Sequence, residues 1–202
     1  MPSEKSAERH ERAEAMFIIS RFLFLNMYEV EVKVKASHAE IKEDLQKSGA
    51  VFEKTEEQHD IYFNSHERDF SKTDEALRIR SVDGEGEITY KGKKMDTVSK
   101  TRPEYNSPAD AQEMTNILLA LGYFVSGAVK KTREVYRWND LVIGLDTVET
   151  LGEFVEVESG LKITDKNEIQ AETKRIFNFL QKYGLSEKDS ITTSYLEMVL
   201  GK

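Results

Sequence analysis

Carboxylates and cations recur at every second position of several short, otherwise apolar runs, a pattern that could hold a metal-bound polyphosphate. Glu29-Val30-Glu31-Val32-Lys33 places two acids and an ammonium between Tyr28, Val30, Val32 and Val34. Strand side chains alternate faces, so Glu29, Glu31, Lys33 and Lys35 fall on one side and the apolar groups on the other. Glu156-Val157-Glu158 repeats the acid spacing in the far half of the chain. Arg78 and Arg80 alternate with Leu77 and Ile79, and Glu87, Thr89 and Lys91 alternate with Ile88 and Tyr90. Lys131, Arg133 and Arg137 share a face with Val135, and Asp146 opposes the Leu141, Ile143, Leu145 face. Paired carboxylates suit Mg²⁺ or Mn²⁺, which prefer oxygen ligands, and a row of Arg and Lys suits phosphate oxygens. There is no glycine-rich Walker loop, so phosphates would be met by side chains and not by a helix N-terminus.

Two arrangements accommodate these charged faces. Left in water, they describe a solvated sheet with weak cross-strand ion pairs. Curled inward, they line a polar tunnel that is costly to desolvate unless something occupies it. The elements that must position them are mostly strands, expected at about 60 to 64, 76 to 82, 86 to 91, 97 to 105, 128 to 137, 140 to 148 and 153 to 159, besides the first at Tyr28. Asp83-Gly84 and Asn139-Asp140 supply tight-turn chemistry between neighbours, so an antiparallel sheet or barrel is expected. Ser37 to Glu40 reads as a capping box for a helix ending at Gly49. A second helix is expected from Ser107 as N-cap and Pro108 to Gly122, a third from about Asp165 to Tyr183, and a short last one near Tyr195 to Leu200. His59, Asp60, Tyr62 and Phe63 could line a substrate-side strand, core packing of the aromatics being the simpler reading.

The chain has 202 residues, suiting one domain with a sizeable core. A net charge of -8 argues against a general nucleic-acid or anionic-membrane binder. Without cysteine there is no disulfide, thiolate metal site or thiol nucleophile, and His59 and His66, seven apart, read as surface residues and not as zinc ligands. Residues 1 to 27 read as an N-terminal extension, disordered or helical, ahead of a domain over 28 to 202. Its apolar run from Met16 to Leu25, broken by Arg21, is too short to span a bilayer and lacks signal-peptide flanks, so no export is expected.

The acids and bases fall in a recognisable order. Glu29-Val-Glu31-Val-Lys33 is followed by Leu77 to Arg80, Tyr90-Lys91-Gly92, Thr101-Arg102-Pro103-Glu104, Lys131-Thr132-Arg133, Leu145-Asp146 and Gly152 to Glu158. This series resembles the ExExK signature and later motifs of the CYTH superfamily, which includes class IV adenylate cyclases, thiamine triphosphatases and inorganic triphosphatases. The resemblance implies an α+β fold: an eight-stranded antiparallel β-barrel, the triphosphate tunnel, with helices packed outside. It implies Mg²⁺ or Mn²⁺ on Glu29, Glu31, Glu156 and Glu158, with Asp146 as a further ligand or an orienter. It implies phosphate contacts from Lys33, Arg78, Lys91, Lys131 and Arg133, with Arg80 and Arg102 beside them, although alternation alone would also allow Arg102 to lie outside. Glu29, Glu31, Lys33 and Asp146 are the implied catalytic group, and Glu153 should face away. Val32 stands where triphosphatases often carry Arg, and this start, with the closing Ser194-Tyr195-Leu196-Glu197, resembles the class IV cyclase branch. The expected activity is therefore ATP to cyclic AMP and pyrophosphate. Hydrolysis by a thiamine or inorganic triphosphatase is the alternative, and non-catalytic nucleotide or polyphosphate binding a second one. ATP or another triphosphate is the expected partner, with no nucleic acid or membrane, a cytoplasmic setting, and a homodimer allowed.

Overall fold

The computed structural model describes residues 28–95, 98, 99 and 101–201; the expected N-terminal extension lies outside the described residues. Nine strands form one antiparallel sheet: β1 Tyr28–Glu29, β2 Glu31–Lys35, β3 Val51–Ser65, β4 Ala76–Val82, β5 Glu85–Lys91, β6 Arg102–Pro108, β7 Tyr123–Trp138, β8 Leu141–Val148 and β9 Gly152–Ser159. Their spatial order is β1-β6-β5-β4-β3-β7-β8-β9-β2. The two outermost strands, β1 and β2, are neighbours in the chain, separated by Val30 alone, so the sheet curls into a nearly closed barrel. At Val30 the pairing changes hands: Glu29 opposes Arg102 on β6, whereas Glu31 opposes Glu158 on β9. Counted by pairing there are nine strands; counted as continuous runs of chain there are the eight expected.

Most apolar positions face outward and the helices cover them. Val30, Val32 and Val34 pack with Leu141, Ile143, Leu145, Val155 and Val157 beneath Ile41 and Leu45 of α1, His38–Lys47, and Ile176, Phe177 and Leu180 of α4, Lys166–Leu180. On the other side Phe63, Leu77 and Ile79 are covered by Leu118 of α3, Ala111–Ala120, and by Phe70 of the short α2, Phe70–Thr73. A third cluster, Val129, Val148, Phe154 and Tyr195, lies on the inward face with Lys131, Asp146 and Glu156 and includes the first residue of α5, Tyr195–Val199. Among the described residues no helix is long and apolar enough to cross a membrane.

Several elements depart from the sequence reading for local reasons. β3 and β7 run 15 and 16 residues, well beyond the expected 60 to 64 and 128 to 137, because they pair along nearly their whole lengths. β6 starts and ends later than expected. Ser107 and Pro108 belong to it, opposite Ile88 and Glu87, and Asp110 caps α3 instead by accepting a hydrogen bond from the Glu113 N–H at 2.8 Å. α1 does begin at His38, but the Ser37 side chain makes no capping hydrogen bond; the His38 N–H donates to Glu153 Oε2 at 3.3 Å. The hairpin turns behave as their residues demand, with positive φ at Asp83 and Gly84 and at Asn139 and Asp140.

Candidate active site

Cross-strand register brings the charged faces together around an interior cavity of about 610 Å³. Three groups of residues make its chemistry.

On the β7, β8 and β9 side, Asp146 is fully buried and saturated. Arg133 donates Nε to Oδ1 and Nη2 to Oδ2, each at 2.6 Å; Lys131 Nζ reaches Oδ2 at 2.7 Å and the Tyr195 hydroxyl reaches it at 2.9 Å. Burial works against the charge on Asp146, but Arg133 and Lys131 hold the carboxyl below its usual range. Arg133 also reaches Glu156, and its guanidinium lies against Gly144, where a Cβ would sit 3.0 Å from Cζ. Burial, with the neighbouring Arg133 charge, brings Lys131 down to about 8 despite Asp146 and Glu156. Asp146 and Lys33 stand behind the cavity wall and are not part of its lining. Asp146 thus has the surroundings of an orienter. Lys33 is fully buried, donates to the Thr193 carbonyl and lies 4.2 Å over the Tyr195 ring. It braces the start of α5 against the barrel.

On the β3, β4 and β5 side, Arg80 forks onto Asp60 with Nε and Nη2 each at 2.7 Å, and Arg78 Nη1 lies 3.5 Å from the same carboxylate. Arg78 Nη2 donates to Thr89 Oγ1 at 3.1 Å. Among the described residues, the Nε atoms of Arg78 and Arg102 are buried with no hydrogen-bond partner. Arg102, which alternation left open, faces inward beside Glu29.

Where β1, β2, β6 and β9 meet, acids gather: Glu29, Glu31, Glu104 and Glu158. Lys91 Nζ lies 3.0 Å from Glu29 Oε2 and also contacts Glu104. Burial, and then the charges of Glu29 and Glu31, push Glu158 up to about 8. Burial likewise raises Glu29, against the pull of Lys91. Glu104 is buried too, yet Lys91 and hydrogen bonding bring it down to about 2. Among the described residues no three acids stand close enough to form a ready-made metal site. Even so, several carboxylates compete for few cations, the condition that an added divalent ion relieves, and an all-oxygen donor set fits Mg²⁺ or Mn²⁺.

Of the sequence-derived residues, Glu29, Glu31, Glu156, Glu158, Arg78, Arg80, Lys91, Arg102, Lys131 and Arg133 share the cavity. Glu153 faces out toward His38, as expected. The run from His59 to Phe63 divides: Asp60 and Tyr62 line the cavity, whereas Phe63 also packs into the outer core. Sequence reasoning gave no role to Glu104, Thr89 or Tyr195. Glu104 could have been found from its spacing two residues after Arg102; nothing local marks Thr89 or Tyr195.

Comparison with known proteins agrees with this architecture. The CYTH domain family model matches residues 27–195. The chain is 41% identical to putative adenylate cyclase MJ0240 of Methanocaldococcus jannaschii over 174 residues, covering 85% of this chain and 98% of that one. The PH1819 protein of Pyrococcus horikoshii superposes with a TM-score of 0.77 at 38% identity, covering 86% of this chain and 98% of that one. The PH1012 protein of the same organism gives 0.71 at 29% identity, covering 84% and 98%. With its family model spanning nearly the whole described barrel and these relatives matched almost end to end, the chain belongs to the CYTH domain family.

Proposed function

We propose that this protein is a divalent-metal-dependent enzyme acting on a triphosphate, and that its reaction is the cyclisation of ATP to cyclic AMP and pyrophosphate. The observation that carries the reading is the pair of buried guanidinium Nε atoms of Arg78 and Arg102, without partners among the described residues, in the same cavity as the Glu29, Glu31 and Glu158 carboxylates. A buried N–H without an acceptor is costly, and phosphate oxygens would supply one. Arg133, Lys131 and Lys91 would add further phosphate contacts. Glu29, Glu31, Glu156 and Glu158 would hold Mg²⁺ or Mn²⁺, which when bound neutralises phosphate charge. In the reaction, the ribose 3′-oxygen bonds to the α-phosphorus while the bond to the bridging oxygen breaks. Pyrophosphate leaves, and the hydroxyl proton passes to solvent or to a carboxylate. The arginines hold the phosphate chain so that attacking and leaving oxygens can lie in line. The name borne by the 41% identical relative supports cyclisation over hydrolysis.

The test is to incubate the protein with Mg²⁺ or Mn²⁺ and, separately, ATP, thiamine triphosphate and tripolyphosphate, and to resolve the products by chromatography. Cyclic AMP with pyrophosphate is the expected outcome. Orthophosphate would replace the cyclase with a triphosphatase of the preferred substrate, and tight binding without product would make the protein a non-catalytic binder.

A further inference from the structure

Asp60 has no part in the chemistry just described, yet it is among the most enclosed charges of the wall, 2% exposed. It sits mid-strand on β3, opposite Arg80 on β4 and Val129 on β7. Arg80 meets it fork to fork at 2.7 Å through both Nε and Nη2, and Arg78 approaches within 3.5 Å. A bidentate pair fixes the plane of a guanidinium, which a single contact does not. Arg78 is held from its other end by Thr89 at 3.1 Å. With both ends engaged, the Arg78 Nε is left buried and without a partner among the described residues, while Arg80 lines the same cavity. Burial opposes ionisation of Asp60, but the Arg78 and Arg80 charges hold its carboxyl well below the usual carboxylate range. Asp146, two strands further along the same sheet on β8, stands in the same relation to Arg133 and Lys131. The two aspartates form a pair of anchors, Asp146 outside the cavity lining and Asp60 within it, each holding its own group of cations.

We propose that Asp60 is a positioning residue, which sets the Arg78 and Arg80 guanidinium planes for the phosphate oxygens of a triphosphate and touches neither substrate nor metal. The proposal rests on the triphosphate reading above. Without the anchor, two neighbouring guanidiniums would repel, and each would have to be ordered when the anion binds.

The experiment is calorimetric titration of the full chain with inorganic tripolyphosphate and Mg²⁺, for the wild type, Asp60→Asn, Arg80→Ala and the double variant. Circular dichroism establishes that each is folded at the assay temperature. Asp60→Asn should weaken binding at least tenfold. Because Asp60 acts on Arg80 as well as on Arg78, the double variant should lose less affinity than the product of the two single losses, a non-additivity that independent sites do not show. In turnover, Asp60→Asn should raise KM with kcat held within a few-fold. Wild-type affinity in Asp60→Asn, or losses that multiply in the double variant, would overturn the proposal. If Asp60→Asn does not fold, Arg80→Lys carries the test: it keeps the charge and loses the fork, so a tenfold loss is expected and wild-type affinity refutes. A wild-type chain that binds no tripolyphosphate would remove the triphosphate reading itself, and the inference with it.

Discussion

Gly144→Ala adds one methyl group, removes no charge, and should nevertheless disable the phosphate grip. Gly144 sits on β8 opposite Val135 and Glu156, with a backbone conformation any residue can adopt. Its new Cβ would lie 3.0 Å from both Cζ and Nε of Arg133. Real Cβ contacts are rarely so short, so the guanidinium must retreat by a few tenths of an ångström. It has little room to do so, being held to Asp146 by two bonds of 2.6 Å and to Glu156 beyond. Misaligning one such charge-assisted bond costs about 1.5–3 kcal/mol, which corresponds to roughly 10- to 100-fold in affinity. Steady-state kinetics on the preferred triphosphate should therefore show kcat/KM lowered by about that factor. The melting temperature should fall by only a few degrees, about 2–4 °C per kcal/mol for a chain of this size. A variant with kcat/KM within twofold of wild type would refute the assignment of Arg133 to the phosphate site, and a variant that does not fold would refute the claim that the backbone tolerates the change.

Glu158→Gln should lose at least 100-fold in turnover yet melt no lower than wild type in EDTA, because it relieves crowding among buried acids; a clear drop in melting temperature would count against that picture. Asp146→Asn should behave oppositely, leaving Lys131 and Arg133 buried with only Glu156 as counter-ion and costing roughly 3–5 kcal/mol in a urea titration. Unchanged stability would mean that Asp146 is not their anchor. Glu158 is raised from 4.5 to about 8, so the folded chain keeps a proton that the unfolded chain releases, and the stability this contributes is lost as pH rises from 4.5 through 8. Mg²⁺ competes with that proton, so it should raise the melting temperature more at a pH of about 8.5 than at about 6; an equal or reversed effect would exclude Glu158 as a ligand.

The face on which each charge lies could be read directly, because alternation on a strand depends on nothing but sequence position: Glu29, Glu31, Arg78, Lys131 and Glu156 all turned inward as their spacing required. Whether that face meets water or a lumen depends on closure, which no single strand contains. Depth was not legible either. Lys33 and Arg133 have the same local pattern, yet one lies under Tyr195 and the other lines the cavity. That difference is set by where the last helix lands, more than 150 residues after Lys33. Asp60 could be placed on a candidate substrate-side strand, but its pairing was not legible for a related reason: its partner Arg80 is twenty residues away on another strand, and their fork exists only in the correct register. Ser107-Pro108 misled because both carry a strong helix-start signal, while the ladder with β5 and the better cap at Asp110 moved the start three residues on.

The break at Val30 has a consequence for how the molecule comes into being. Glu29 and Glu31 lie on the first strand of the barrel, but Glu31 finds its place only against Glu158, the far end of the ninth strand. During synthesis the opening segment must wait, unpaired on that side, until nearly the whole barrel has followed it. Contacts of such long sequence separation make folding slow, since loop-closure entropy must be overcome before the pairing forms. The acids that would take a metal are therefore assembled by the same event that shuts the barrel, so an incompletely folded chain cannot carry a complete site.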